Sequence, residues 1–239
     1  NINFFFVLYF HQVKSETLDL AKKEFLAGNY ETAINISSKI NDIEAKIFQT
    51  RAMSVYAHFF WKDEVAKNKF LQAYDIIKEL SLIETNNAEI YVEAAHALGR
   101  YGQKIGIMSA IRKGIADRVK KYLDKALNIN SSHTLANLSK GLWHAEIINQ
   151  AGKTLAKALY GASLNKARDH FSIAYEFGKQ EISILYELSY GYYLLGETED
   201  LILAKKYLDD LLLIENKAHI EKIYKDKAIK LQKKITWGC

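Results

Sequence analysis

The 239-residue sequence contains no proline, only 12 glycines and one cysteine, Cys239, at its last position. Each shortage excludes something. Sandwiches and barrels spend proline and glycine on their many turns, so an all-β fold is disfavoured. A single terminal cysteine leaves no internal disulfide and no cysteine-based metal site. No apolar run approaches the roughly 18–20 residues of a membrane-spanning helix. What is present is a chain rich in Leu, Ala, Lys, Glu and Ile, 49% apolar and 26% charged. That is enough apolar material for a continuous core and a normal soluble charge content. A sequence without helix breakers and with this composition reads as all-α, of a length that suits one or two domains.

The formal charge is +5, too mild for a dedicated nucleic-acid binder, and no nucleic-acid partner is expected. The charge is uneven. Seven basic residues lie between Lys104 and Lys125 against Asp117 and Asp124, and seven lysines between Lys217 and Lys234 against Glu221 and Asp226. Such stretches are ordinarily the solvated outer faces of helices; the alternative is an anionic partner, either an acidic protein or a lipid surface in peripheral contact. The run from Phe4 to Phe10 is seven apolar residues long, the lower limit for the core of an export signal, and Val13 and Ser15 would sit at −3 and −1 of a cleavage site before Glu16. Residues 1–15 therefore read as an export-signal remnant or as a hydrophobic segment docked on the core. The first reading implies an exported, periplasmic bacterial protein, the second allows a cytoplasmic one.

Internal repetition decides the architecture. A helix, a tight turn and a second helix with small–large–small residues recur along the chain. The second-helix signature is Ala66, Phe70, Ala73; Val119, Leu123, Ala126; Ala167, Phe171, Ala174; and Ala204, Leu208, Leu211, with a weaker early copy around Ala33. Offsets of four and seven put the three residues on one helical face, where small residues admit the paired helix and the large one fills the gap. This is the packing code of the tetratricopeptide repeat (TPR), with a period of about 34 residues. The expected fold is an all-α, TPR-like right-handed solenoid of about five helix pairs over residues 16–239, capped by the Lys-rich C-terminal helix. Two of its repeats are elongated, at Gly99–Ala116 and Ile148–Ser163, each between the first and second helix of a pair.

The segments Gly99–Gly102, Ile111–Ile115, Leu123–Asn130 and Lys140–Ile147, with Leu155–Gly161, resemble two TPR-like families, the regulators of microtubule dynamics and the T-component (TatT) of TRAP transporter-associated periplasmic proteins. The likeness spans roughly residues 89–230. The chain departs from the pattern at Ser131, where a repeat usually carries proline, and at Lys140, beside the Trp. The resemblance implies the solenoid fold. From TatT it implies a periplasmic solute-binding protein as partner and a homo-oligomer, and from both families a cavity between repeats able to take an apolar ligand or lipid.

Catalytic patterns are lacking. Gly152-Lys153-Thr154 ends like a phosphate-binding loop, but Ile147 stands where its first glycine is required. The seven histidines form no His-x-x-x-His pair, and no Gly-x-Ser-x-Gly elbow occurs. The sequence thus reads as non-enzymatic, with no cofactor and no metal. Threading each first helix onto the TPR pattern turns a set of polar and aromatic residues towards the concave surface: His96 and Arg100, Trp143 and His144, and Tyr186, Tyr190 and Tyr193. The ordinary alternative is that the tyrosines are core. Two functions follow. One is a scaffold binding a protein or peptide through the concave face; the other is a carrier of an apolar molecule or lipid in a cavity between repeats.

Overall fold

A computed structural model describes residues 17–237, which are helical throughout apart from short connections, with no strand among them. The proposed leader and Cys239 lie outside the described residues. Twelve helices follow in order among the described residues: α1 (17–27), α2 (Tyr30–Ser38), α3 (Ile43–Phe60), α4 (Asp63–Ile83), α5 (Ala88–Ile105), α6 (Ile107–Arg112), α7 (Ile115–Ile129), α8 (Thr134–Tyr160), α9 (Leu164–Gly178), α10 (Ile182–Leu195), α11 (Thr198–Leu213) and α12 (His219–Trp237). Starts are set locally. The Asp42 carboxylate accepts from the Glu44 N–H at 2.8 Å, and the Asn87 carboxamide oxygen accepts from the Glu89 N–H at 3.1 Å, each satisfying a donor the helix cannot use internally.

The helices form five pairs, α1–α2, α3–α4, α5–α7, α8–α9 and α10–α11, stacked as a solenoid. The first helices of successive pairs touch, α3 on α5, α5 on α8 and α8 on α10, and make the inner layer. The second helices lie outside, and the small–large–small signature is their buried seam. Ala66, Phe70, Ala73, Leu123, Ala126, Ala167, Phe171, Ala174, Ala204, Leu208 and Leu211 all have no exposed surface, and Val119 very little.

Both elongated repeats are helical. In the first, α5 runs on to Ile105, Gly106 breaks it at φ +87°, and the six-residue α6 turns back under α5, where Ala110 and Ile115 stand within 3.3 Å of where a Cβ on Gly102 would sit. In the second, α8 runs on past a break at Gly152 (φ 76°, ψ 156°) and ends at the left-handed Gly161. The phosphate-loop-like tripeptide is therefore a helix junction.

Helix α12 does more than cover the last pair. Its Tyr224, Ala228, Leu231 and Ile235 are buried, on α10 and α11. Its other flank meets the first repeats. The Tyr224 ring lies 5.1 Å from Phe59, the Lys227 ammonium 4.4 Å over the same Phe59 ring, and the Tyr30 hydroxyl 3.2 Å from His219 Nδ1. A Cβ on Gly28 would stand 2.7 Å from the His219 ring, so only glycine allows this approach. The two ends of the solenoid are bridged.

Candidate functional site

The inner helices and α12 line a half-open cavity of about 590 Å³, within the size range of small-molecule pockets. Its wall is mostly apolar: Val55 and Phe59 from α3, Leu138 and Leu142 from α8, Ile184 from α10 and Tyr224 from α12. The first elongated repeat supplies the floor, through Ile107, Ala110 and Ile115.

Polar groups cross this wall as paired sets that tie repeats together. Arg51 Nε donates to Glu93 Oε1 at 2.7 Å and its Nη2 to Glu89 Oε2 at 2.5 Å. His133 Nε2 stands 3.0 Å from Glu89 Oε1, and that hydrogen bond, with the Arg51 charge, holds the Glu89 carboxyl down at about 2 against the cost of burial. Across the cavity Arg100 Nη2 donates to Glu187 Oε1 at 2.8 Å, joining α5 to α10. Gln103 Nε2 donates to Glu146 at 3.2 Å. Burial raises the Glu146 carboxyl above its usual range. His96 Nε2 and Ser139 Oγ share a hydrogen bond of 2.7 Å. Burial first, then the neighbouring Arg100 and Arg51 charges, pushes His96 down to about 3, and burial with Arg100, Lys227 and Lys104 pushes His58 down to about 2. Both imidazoles are neutral at pH 7.

The seven residues expected on the concave face divide. His96, Arg100 and Trp143 line the cavity. The Trp143 indole N–H donates to the Ala116 carbonyl at 2.9 Å, tying the start of α7 to α8. His144 does not reach the cavity. The register of α8 presents Leu138, Ser139, Leu142, Trp143 and Glu146 inward, and the next residue turns His144 towards α9, where it is 2% exposed and stacks at 6.0 Å on His170. Tyr186, Tyr190 and Tyr193 are half-buried against the core and outside the cavity wall. On α10 the cavity is lined by Ser183, which the same threading turns inward, and by Ile184 and Glu187. Tyr186 packs 5.4 Å from Tyr224 of α12, and desolvation pushes the Tyr186 and Tyr190 hydroxyls up to about 12. Sequence reasoning missed Arg51, Ser54, Glu93 and Glu187. A glutamate in an alanine-rich helix reads as solvent-facing, and only its helical offset from His96 and Arg100 hinted otherwise.

His144 makes a titration prediction. Burial, then Lys140 and His170, lowers it to about 3, and its Nδ1 has no hydrogen-bond partner. Above pH 6.5 the imidazole is neutral folded and unfolded, so its contribution is fully present there. As pH falls towards 3 the unfolded chain takes a proton the folded chain refuses, and stability is lost at up to about 1.4 kcal/mol per pH unit. Unfolding by urea across pH 7 to 4 should therefore show His144→Leu gaining on the parent as pH falls. A constant gap between them would show that His144 titrates freely.

Among the described residues no group of three or more His, Cys, Asp or Glu could hold a metal ion, and no helix is long and apolar enough to cross a membrane. No curated protein sequence matches the chain. The crystal structure of a thermophilic TPR protein from Thermus thermophilus superposes with a TM-score of 0.64 at 17% identity, covering 91% of this chain and 99% of that one. That likeness shows the fold, a TPR-like helical solenoid. The family of regulator of microtubule dynamics protein 1-3 matches residues 48–236, from the second helix pair through almost all of α12. The chain belongs to the regulator of microtubule dynamics protein 1-3 family.

Proposed function

We propose that this protein is a non-enzymatic TPR scaffold that receives a short segment of a partner protein in its concave cavity. The observation that supports this most is the placement of the cavity on the inner layer. Successive first helices line it, and paired charges (Arg51 with Glu93, Arg100 with Glu187) hold the wall in a fixed geometry. Preorganised side chains lose little freedom on binding, which favours recognition. The bridge made by α12 favours a compact occupant over an extended peptide running the length of the solenoid. The TatT likeness extends the proposal to an exported protein whose partner is a periplasmic solute-binding protein.

The predominantly apolar wall also favours a second reading, carriage of an apolar small molecule or lipid. Two measurements separate them. A photo-crosslinking residue at Val55, in the cavity wall, should trap a protein partner in the native cell, whereas the same residue at Ile202, which is 63% exposed on the outer helix α11, should not. Native mass spectrometry of protein purified without delipidation should then give the bare chain mass. An added mass of a few hundred daltons, released on denaturation, together with no crosslink at Val55, would replace the scaffold with the carrier.

A further inference from the structure

Charge is distributed inside the cavity in the opposite sense to the chain as a whole. The protein carries +5. The cavity wall holds two cations, Arg51 and Arg100, against Glu93, Glu146, Glu181, Glu187 and Glu221. Its histidines, His58 and His96, are uncharged. Arg100 is taken by Glu187, and Arg51 is shared between Glu89 and Glu93. No lysine lines the cavity among the described residues. Lys227 lies beyond the wall, against His58, Phe59 and Tyr186.

Two of the wall groups are buried with hydrogen-bonding capacity unused. Glu93 is 1% exposed, and while its Oε1 accepts from Arg51, its Oε2 has no hydrogen-bond partner, with His96 Nδ1 4.0 Å away. Ser54, one turn beyond Arg51 on α3 and 7% exposed, likewise has an unpartnered Oγ. A buried carboxylate oxygen without a donor leaves the cost of its desolvation without compensation. Two such acceptors on facing helices of one cavity, in an excess of carboxylates, describe a receptor for a donor that carries positive charge. An anionic or purely apolar occupant would leave the Glu93 oxygen unsatisfied.

We propose that the cavity binds an ammonium group on an apolar stem, the lysine side chain of a partner segment, with the ammonium donating to Glu93 Oε2 and Ser54 Oγ and the stem lying on the apolar wall. The inference rests on the cavity being the partner-binding site. A lysine stem suits this wall because its methylenes bury along apolar surface while the head requires acceptors.

The test uses the full chain and three probes of one length: hexylammonium, hexanol and hexanoate. Each is titrated against the ¹⁵N-labelled protein while the Trp143 indole and the α5 amides are followed. Hexylammonium should bind at least 10-fold more tightly than hexanol, with hexanoate weakest. Glu93→Gln should remove that preference, and Ser54→Ala, a smaller change that spares the ion pair, should reduce it several-fold. Equal binding of the alcohol and the ammonium, or a preference that survives Glu93→Gln, overturns the ammonium site. Selection of a random peptide library on the same protein separates this from the scaffold reading. Enriched peptides with lysine between apolar residues support both. Enriched peptides without lysine overturn the ammonium site and leave the scaffold standing. A clear ammonium preference with no enriched peptide overturns the scaffold and assigns the site to a small amine.

Discussion

Gly191→Ala should lower the melting temperature by about 6–12 °C, although alanine is the better helix former. Phe171 of α9, with no exposed surface, is held between two glycines on neighbouring helices. A Cβ on Gly141 of α8 would lie 2.4 Å from its ring, and a Cβ on Gly191 of α10 would lie 2.3 Å from Cζ. Removing a glycine from a helix interior gains about 1 kcal/mol in propensity. Forcing a methyl into a packed core typically costs 1–3 kcal/mol and occasionally more. Here the ring cannot retreat, because Gly141 closes the other side, so we expect a net loss of about 3 kcal/mol. In a chain of this size that corresponds to about 2–4 °C per kcal/mol. Phe171→Leu should be destabilising alone yet partly rescue Gly191→Ala, with a coupling of at least about 1 kcal/mol. Additive effects in the double variant would show that the clash is relieved elsewhere.

Arg168→Met should destabilise by about 3–5 kcal/mol, the range for stranding a buried charge. Asp200, 1% exposed at the start of α11, accepts from Arg168 Nε at 2.8 Å and Nη2 at 2.9 Å, so one guanidinium fork joins the fourth and fifth repeats. Loss of the arginine leaves a buried carboxylate without its partner. Arg168→Lys should recover little, because a single ammonium cannot reproduce two parallel bonds. Combining Arg168→Met with Asp200→Asn should recover most of the loss, since the cost comes from the stranded charge. Urea unfolding of the parent and the three variants measures each. A double variant as unstable as Arg168→Met would place the cost in lost packing of the arginine stem.

The outer half of this architecture was legible in the sequence because its packing code is written in residue size. Alanines at fixed offsets around Phe70, Leu123, Phe171 and Leu208 have no other reason to recur, and all are buried as expected. The breaks at Gly106, Gly152 and Gly161 were marked by glycine in a chain with few of them. The inner face was harder to read. Helix α10, Ile182–Leu195, has Glu187 as its one charged residue, so its composition does not say which way it points, and Glu187 lines the cavity while Tyr186, Tyr190 and Tyr193 do not. On α8 one residue of register separates Trp143 in the wall from His144 against α9. The burial of Glu93 depends on Arg51, 42 positions away, a pairing that no local pattern encodes.

The bridge made by α12 changes the kind of object this is. An open solenoid is a one-dimensional stack in which each unit feels only its neighbours and the ends fray first. Joining Tyr30 to His219, 189 positions apart, turns the stack into a loop with no free end between those points. Strain introduced at one repeat can then be carried around the loop in both directions. An occupant that pushes α12 outward works against the first repeat and the last together, so entry into the cavity and loosening of the ring become the same event.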